Sequence, residues 1–70
     1  MKRKAVQSSY IKSYGYDPAK HVLQIEYASG KIYNYLEVPA FVHQSFLRSE
    51  SKGEFVNFKI KRFRFRRISD

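Results

Sequence analysis

Apolar and polar residues alternate along three stretches of the chain, and a period of two is the pattern of a half-buried β-strand. In the range 21–27, Leu23 and Ile25 fall on one face and the polar residues between and beside them fall on the other. The same period continues over 31–36, and a looser alternation runs from 8 to 16. Turn-forming residues separate these stretches, so the pattern predicts short antiparallel strands joined by tight turns.

The turn between the two best-defined strands decides which way their tyrosines face. A two-residue loop would turn Tyr33 and Tyr35 away from the apolar face of the first strand. A three-residue loop with Gly30 in the left-handed conformation would set Tyr27 opposite Lys31 and bring both tyrosines to that apolar face. Because glycine adopts the left-handed conformation without strain, we favour the three-residue loop.

Two helices are predicted after this hairpin. Apolar residues recur at helical spacing from Pro39 to Arg48, and proline is well tolerated in the first turn of a helix. Ser51 and Glu54 have the spacing of a capping box, which predicts the start of a second helix. The pattern as a whole predicts an α+β fold. A small three- or four-stranded antiparallel sheet, with two central strands as a hairpin, should pack against two short helices.

The last twelve residues alternate between cationic and bulky apolar side chains. If the segment returns as a strand, Phe63 and Phe65 enter the core while Arg62, Arg64 and Arg66 point to the opposite side. If it continues the second helix, this separation disappears. As a strand, it would anchor itself by its phenyl rings and present a row of guanidinium groups to an anion.

A chain of 70 residues is long enough for one domain with a small core. We predict a flexible basic arm over 1–7, a single domain over 8–68 and a short tail over 69–70. The formal net charge is +8, and a field of this sign attracts nucleic-acid phosphates or acidic protein surfaces. We expect basic residues near both ends to contact the partner. They are Lys2, Arg3, Lys4, Lys59, Lys61, Arg62, Arg64, Arg66 and Arg67.

Residues suited to catalysis or metal binding are sparse. The chain has no cysteine, and its two histidines, His21 and His43, lack further ligands at metal-binding spacing, so we expect both to be ordinary surface residues. We predict no enzymatic activity, no metal, no cofactor and no small-molecule substrate. The sequence also lacks a secretory-signal pattern and an apolar run of about 20 residues. We therefore expect a cytoplasmic monomer without a membrane partner.

Several short motifs occur in an order that is typical of one family. They are Tyr16-Asp17-Pro18, Leu23-x-Ile25-x-Tyr27, Ser29-Gly30, Tyr33-x-Tyr35, Val38-Pro39, Ser51-Lys52-Gly53 and Phe55-x-Asn57. This set, which spans about Ser8 to Phe65, resembles the KTSC domain. That module is named for its place at the C-terminus of some lysyl-tRNA synthetases and also occurs as a free-standing protein of bacteria and phages. The resemblance implies no catalytic residues and suggests RNA binding.

The short basic form of the domain also resembles small phage proteins that redirect host machinery. Our first hypothesis is therefore a non-catalytic, phage-type regulator that docks on host RNA polymerase or an associated complex in the host cytoplasm. The alternative is a direct, weakly specific RNA- or DNA-binding module that uses the arginine row of the tail. In that module Tyr33 and Tyr35 would stack unpaired bases, unless both rings belong to the core.

Overall fold

The structure, a computed structural model, describes residues 2–69, so Met1 of the predicted arm and Asp70 of the predicted tail lie outside the described residues. Its strands are β1 (Lys4–Ala5), β2 (Ile11–Asp17), β3 (Val22–Tyr27), β4 (Ile32–Tyr35) and β5 (Phe65–Ser69). Its helical elements, all between β4 and β5, are α1 (Ala40–Arg48), α2 (Lys52–Phe55) and a π-helical turn (Val56–Ile60).

All neighbouring strands are antiparallel, and their order across the sheet is their order along the chain, β1-β2-β3-β4-β5. The predicted α+β class is confirmed. The tail forms a strand and does not continue the second helix, so the first of its two predicted alternatives is the one observed. The sheet has five strands, however, where three or four were predicted.

The additional strand lies in the segment predicted to be a flexible basic arm. Lys4 pairs with Tyr14, and Ala5 pairs with Ser13. The adjoining Val6 explains this difference, because its N–H donates to the Lys12 carbonyl oxygen at 2.9 Å and its side chain packs against the core. The segment is thereby fixed along the free edge of β2.

The turn between β3 and β4 is the predicted three-residue loop. The Gly30 N–H donates to the Tyr27 carbonyl oxygen at 2.9 Å, and the Tyr27 N–H donates to the Lys31 carbonyl oxygen at 2.8 Å. Gly30 has a φ of 97°, the left-handed conformation that the loop requires. In the resulting register Ile25 lies opposite Tyr33 and shares its face of the sheet.

The core lies between the sheet and the helical elements. Its fully buried residues are Ile11, Leu23, Ile25, Tyr35, Val38, Phe46, Val56 and Ile60. We call the sheet face that contacts the helices the inner face and the opposite one the outer face. Directly opposed residues of antiparallel strands share a face, so the registers assign the exposed side chains to one face or the other.

Both helices begin where the sequence predicts. Pro39 is the N-cap of α1, and the Ser51 hydroxyl accepts the Glu54 N–H at 3.2 Å in front of α2. Gly53 brings α2 close to the segment before β2, since a Cβ atom there would lie 3.0 Å from the Tyr10 Cβ. After the π-helical turn, the Lys61 N–H donates to a carbonyl oxygen five residues back, at 3.0 Å.

The start of β5 differs from the prediction for the tail. Phe63 precedes the strand in a turn and is half-buried, whereas Phe65 is 55 % exposed. The expectation that both phenyl rings enter the core is therefore wrong for Phe65. It begins an edge strand, so it has a neighbouring strand on one side alone, and its ring stacks on Tyr33.

Candidate functional site

The arginines of the tail do not form the continuous row that strict alternation predicts. Arg62 lies in the turn before β5 and lines a groove beside α1, because the chain is not yet extended there. Arg64 forms an ion pair with Glu37, at an N–O distance of 3.5 Å, with both side chains 80 % exposed. Such an exposed pair adds little stability.

The last two arginines point to different faces of the sheet. Arg66 lies opposite Asn34, which places it on the outer face, whereas Arg67 lies opposite Tyr33 on the inner face. Consecutive residues of a strand alternate between faces, so this part of the tail behaves as the predicted strand should. The four arginines of the tail therefore do not share one surface.

A polar ladder crosses the outer face between the two basic edges of the sheet. Arg3 donates to the Gln24 side-chain oxygen at 3.1 Å, and the Gln24 amide donates to the Asn34 side-chain oxygen at 2.9 Å. Arg66 is next in the same line. Sequence alone did not place Arg3 on this face of the sheet, since nothing in it reveals the additional strand.

A cavity of about 320 Å³ opens on the inner face near the hairpin loop. We call it the tyrosine pocket. Its principal side chains are Tyr10, Tyr27, Tyr33, Lys31 and Lys61. The rings of Tyr10 and Tyr27 meet edge to face at 5.5 Å between centroids, and those of Tyr27 and Tyr33 do the same at 5.5 Å.

Lys61 places a positive charge directly above these rings. Its Nζ lies 5.2 Å from the centroid of Tyr10 and 5.8 Å from that of Tyr27, within the range of a cation–π contact. A side-chain hydrogen bond to Tyr10 raises the pKa of Lys61. The exposed ammonium group therefore stays protonated at neutral pH, where it can meet an anion.

The two tyrosines proposed for base stacking have different environments. Tyr35 is only 1 % exposed, so stacking on Tyr35 is excluded and its place is in the core. Its hydroxyl forms a hydrogen bond with that of Tyr27. Tyr33 is half-buried in the pocket, and Phe65 stacks on it at 5.0 Å with an interplanar angle of 18°.

A second aromatic contact involves a histidine that the sequence indicated to be an ordinary surface residue. His43 of α1 is half-buried and stacks on Tyr16 at 4.3 Å between centroids. The Tyr16 hydroxyl donates to the Val38 carbonyl oxygen at 2.6 Å. Burial, aided by the positive charge of Lys4, lowers the pKa of His43.

This lowered pKa predicts a loss of stability in weak acid. The unfolded chain binds a proton at His43 near pH 6.5, whereas the folded protein binds it at lower pH. The free energy of unfolding should therefore fall as the pH drops through about 6.5. Urea denaturation of wild type and His43→Gln across this range measures the effect.

His43→Gln should weaken the dependence of the free energy of unfolding on pH. His21→Asn is the matched control, because it removes the other imidazole, and asparagine tolerates the positive φ of 56° found there. An equally steep loss of stability in His43→Gln and wild type would contradict the assignment to His43.

Within residues 2–69, no group of three His, Cys, Asp or Glu side chains is arranged to hold a metal ion. The described helices include none that is long and apolar enough to cross a membrane. What the structure does bring together is aromatic rings, lysines and arginines. Such an arrangement can bind anions and flat rings.

An antiparallel meander with two short helices before its last strand is the fold of a known family. The sequence profile of the KTSC domain matches residues 7–65, and the chain belongs to the KTSC domain family. A crystal structure of a KTSC domain protein from Yersinia pestis superimposes with a TM-score of 0.92. It is 42 % identical in sequence, and the match covers 97 % of each chain.

Relatives of two kinds are similar to this chain in sequence. An uncharacterized protein of Stutzerimonas stutzeri is 44 % identical, over 97 % of this chain and 99 % of its own. A protein of Tsukamurella paurometabola is 47 % identical over 84 % of this chain and 90 % of its own. A lysine–tRNA ligase of a Nostoc species is 36 % identical over 90 % of this chain, which is 11 % of the ligase. The domain therefore occurs both alone and within a larger enzyme.

Proposed function

We propose that this protein is a non-catalytic module that binds single-stranded RNA with low sequence specificity at the tyrosine pocket. The observation behind the proposal is the geometry of that pocket, in which three tyrosine rings lie beside Lys31 and Lys61. Aromatic rings stack on unpaired bases of any sequence, and neighbouring cations attract the phosphates.

Phe65 extends the aromatic surface beyond the pocket. One side of its ring stacks on Tyr33, and 55 % of the residue remains exposed. A base that contacts Phe65 would continue the stack that Tyr33 begins. Stacking of this kind contributes about 1–3 kcal/mol per base.

The choice of RNA rests on the relatives as well as on the pocket. Lysine–tRNA ligases, by their name, act on an RNA, and they contain a segment similar to nearly all of this chain. The names of the relatives reported above do not mention transcription. We therefore prefer the RNA-binding alternative to a phage regulator that docks on RNA polymerase, but we move its site from the arginine row of the tail to the tyrosine pocket.

The test is a fluorescence anisotropy titration of a short, labelled single-stranded RNA at a series of salt concentrations. Phe65→Ala should weaken binding by about five- to a hundredfold, the equivalent of one lost stacking contact. Lys61→Gln should reduce the slope of log K against log salt by about 0.7, the value for one phosphate on a single strand.

Lys20→Gln is the matched control, since Lys20 is exposed in the turn between β2 and β3, away from the tyrosine pocket. It should leave the salt slope as in wild type. Equal effects of the two lysine replacements would indicate general charge attraction and contradict the proposal. So would an unchanged affinity of Phe65→Ala, whose thermal unfolding is recorded in parallel to show that it is folded.

A further inference from the structure

The helical side of the molecule exposes large aromatic side chains. Phe41, in the first turn of α1, is 72 % exposed, and Phe58, in the π-helical turn, is 64 % exposed. Single exposed apolar residues need no explanation, but neighbouring ones indicate an interaction surface. Phe41 lines a groove whose other apolar walls are Val42, Phe55 and Phe63. Phe58 lines the adjoining cavity along α2, which shares Phe55 and Lys59 with this groove.

The groove suits protruding side chains better than a small molecule. Its volume is about 240 Å³, whereas sites for small molecules usually enclose about 300–1,000 Å³. Amphipathic segments of proteins bind in such grooves by inserting a few bulky apolar residues. The size and the aromatic lining therefore favour a peptide segment as the occupant.

The charge of the rim specifies the segment further. Lys59 and Arg62 line the groove, and none of the described residues that line it is acidic. Glu50 and Glu54 line the neighbouring cavity along α2, so the basic part of the rim does not extend into that cavity. A partner with acidic residues beside its apolar ones would complement this rim.

We propose that this groove, between α1 and the π-helical turn, docks an acidic amphipathic segment of a partner protein. A second copy of the chain is a poor occupant, because both rims would present Lys59 and Arg62 on molecules of net charge +8. The groove shares no lining residue with the tyrosine pocket, so the two proposals stand or fall separately.

The test is a selection of random peptides displayed on phage, with the folded full-length protein as bait. Peptides that also bind an Arg62→Glu bait are removed by counter-selection. The enriched sequences should be acidic, with bulky apolar residues spaced three or four apart, as on one face of a helix. Enrichment of neutral or basic peptides would overturn the proposal, as would the absence of enrichment.

The affinity of one enriched peptide, made synthetically, is then measured for variants of the groove. Phe41→Ala and Arg62→Glu should each weaken its binding more than tenfold. Two matched controls should leave it unchanged. Leu47→Ala removes an exposed apolar residue of α1 outside the groove, and Lys20→Glu makes the same change of charge as Arg62→Glu.

Three further outcomes would contradict the proposal. The first is that Lys20→Glu weakens the peptide as much as Arg62→Glu does, since the effect would then come from net charge. The second is displacement of the peptide by single-stranded RNA in wild type and in Phe65→Ala alike, which would make the groove a nucleic-acid site. The third is a dimer in sedimentation analysis that Phe41→Ala dissociates, since a second copy would then fill the groove.

Discussion

Replacing Phe46 by alanine is expected to lower the free energy of unfolding by about 3–5 kcal/mol. The ring is fully buried and meets Tyr14 edge to face at 5.0 Å and Phe55 at 5.8 Å. A domain of this size has a total stability of only about 4–10 kcal/mol. The midpoint of urea denaturation should therefore shift to a much lower urea concentration, while the slope of the free energy of unfolding against urea concentration stays the same.

Phe41→Ala supplies the matched control, because it is the same substitution in the same helix at a residue that is 72 % exposed. It should change the free energy of unfolding by no more than about 0.5 kcal/mol. If Phe46→Ala unfolded at the same urea concentration as Phe41→Ala, the packing of α1 on the sheet described above would be wrong.

The second large effect is expected at the paired hydroxyls of Tyr27 and Tyr35. Tyr27→Phe should destabilise the protein by about 1–3 kcal/mol, because it leaves the hydroxyl of the buried Tyr35 without its partner. Tyr35→Phe should cost less, since the Tyr27 side chain is only half-buried and its hydroxyl can turn to water. The double replacement should recover part of the loss.

A double-mutant cycle in urea measures this coupling, and additive effects of the two replacements would contradict it. Alkaline pH offers an independent measurement. Burial raises the pKa of both hydroxyls, so the unfolded chain ionises first, near pH 10. Stability should therefore fall as the pH rises above about 10, and less steeply in the double variant.

The hairpin and the helix starts were predictable because each depends on a few neighbouring residues. Gly30 favours one loop length, and that length alone determines that Tyr33 shares a face with Ile25. The Ser51 hydroxyl accepts the Glu54 N–H, which is one half of the predicted capping box, because the two residues are only three apart. Local chemistry was sufficient at these places.

The edges of the sheet could not be predicted in the same way. β1 has two residues, too few for a period of two to appear. Phe63 and Phe65 are two residues apart, as are neighbours on one face of a strand. Phe63, however, lies in the turn before β5, so the two rings have different surroundings. Whether a strand residue is covered depends on which elements lie above it, and alternation does not contain that information.

The tyrosine pocket was missed for a related reason. Tyr10 and Lys61 come from opposite ends of the chain, and they meet only because α2 approaches the segment before β2 closely at Gly53. Tyr33 was singled out for stacking, but Lys61 was grouped with the arginines of the tail. Tyr10, just before β2, was the available signal in the sequence, and it becomes specific only when Lys61 is known to lie above its ring.

The position of the helices within the chain has a consequence for how the molecule is assembled. Short connections join neighbouring strands from β1 to β4, whereas the connection between β4 and β5 contains α1, α2 and the π-helical turn. Closing that longer loop costs more chain entropy and yields the last row of backbone hydrogen bonds. We therefore expect β5, which supplies Phe65 and Arg66, to pair last during folding and to separate from the sheet early during unfolding.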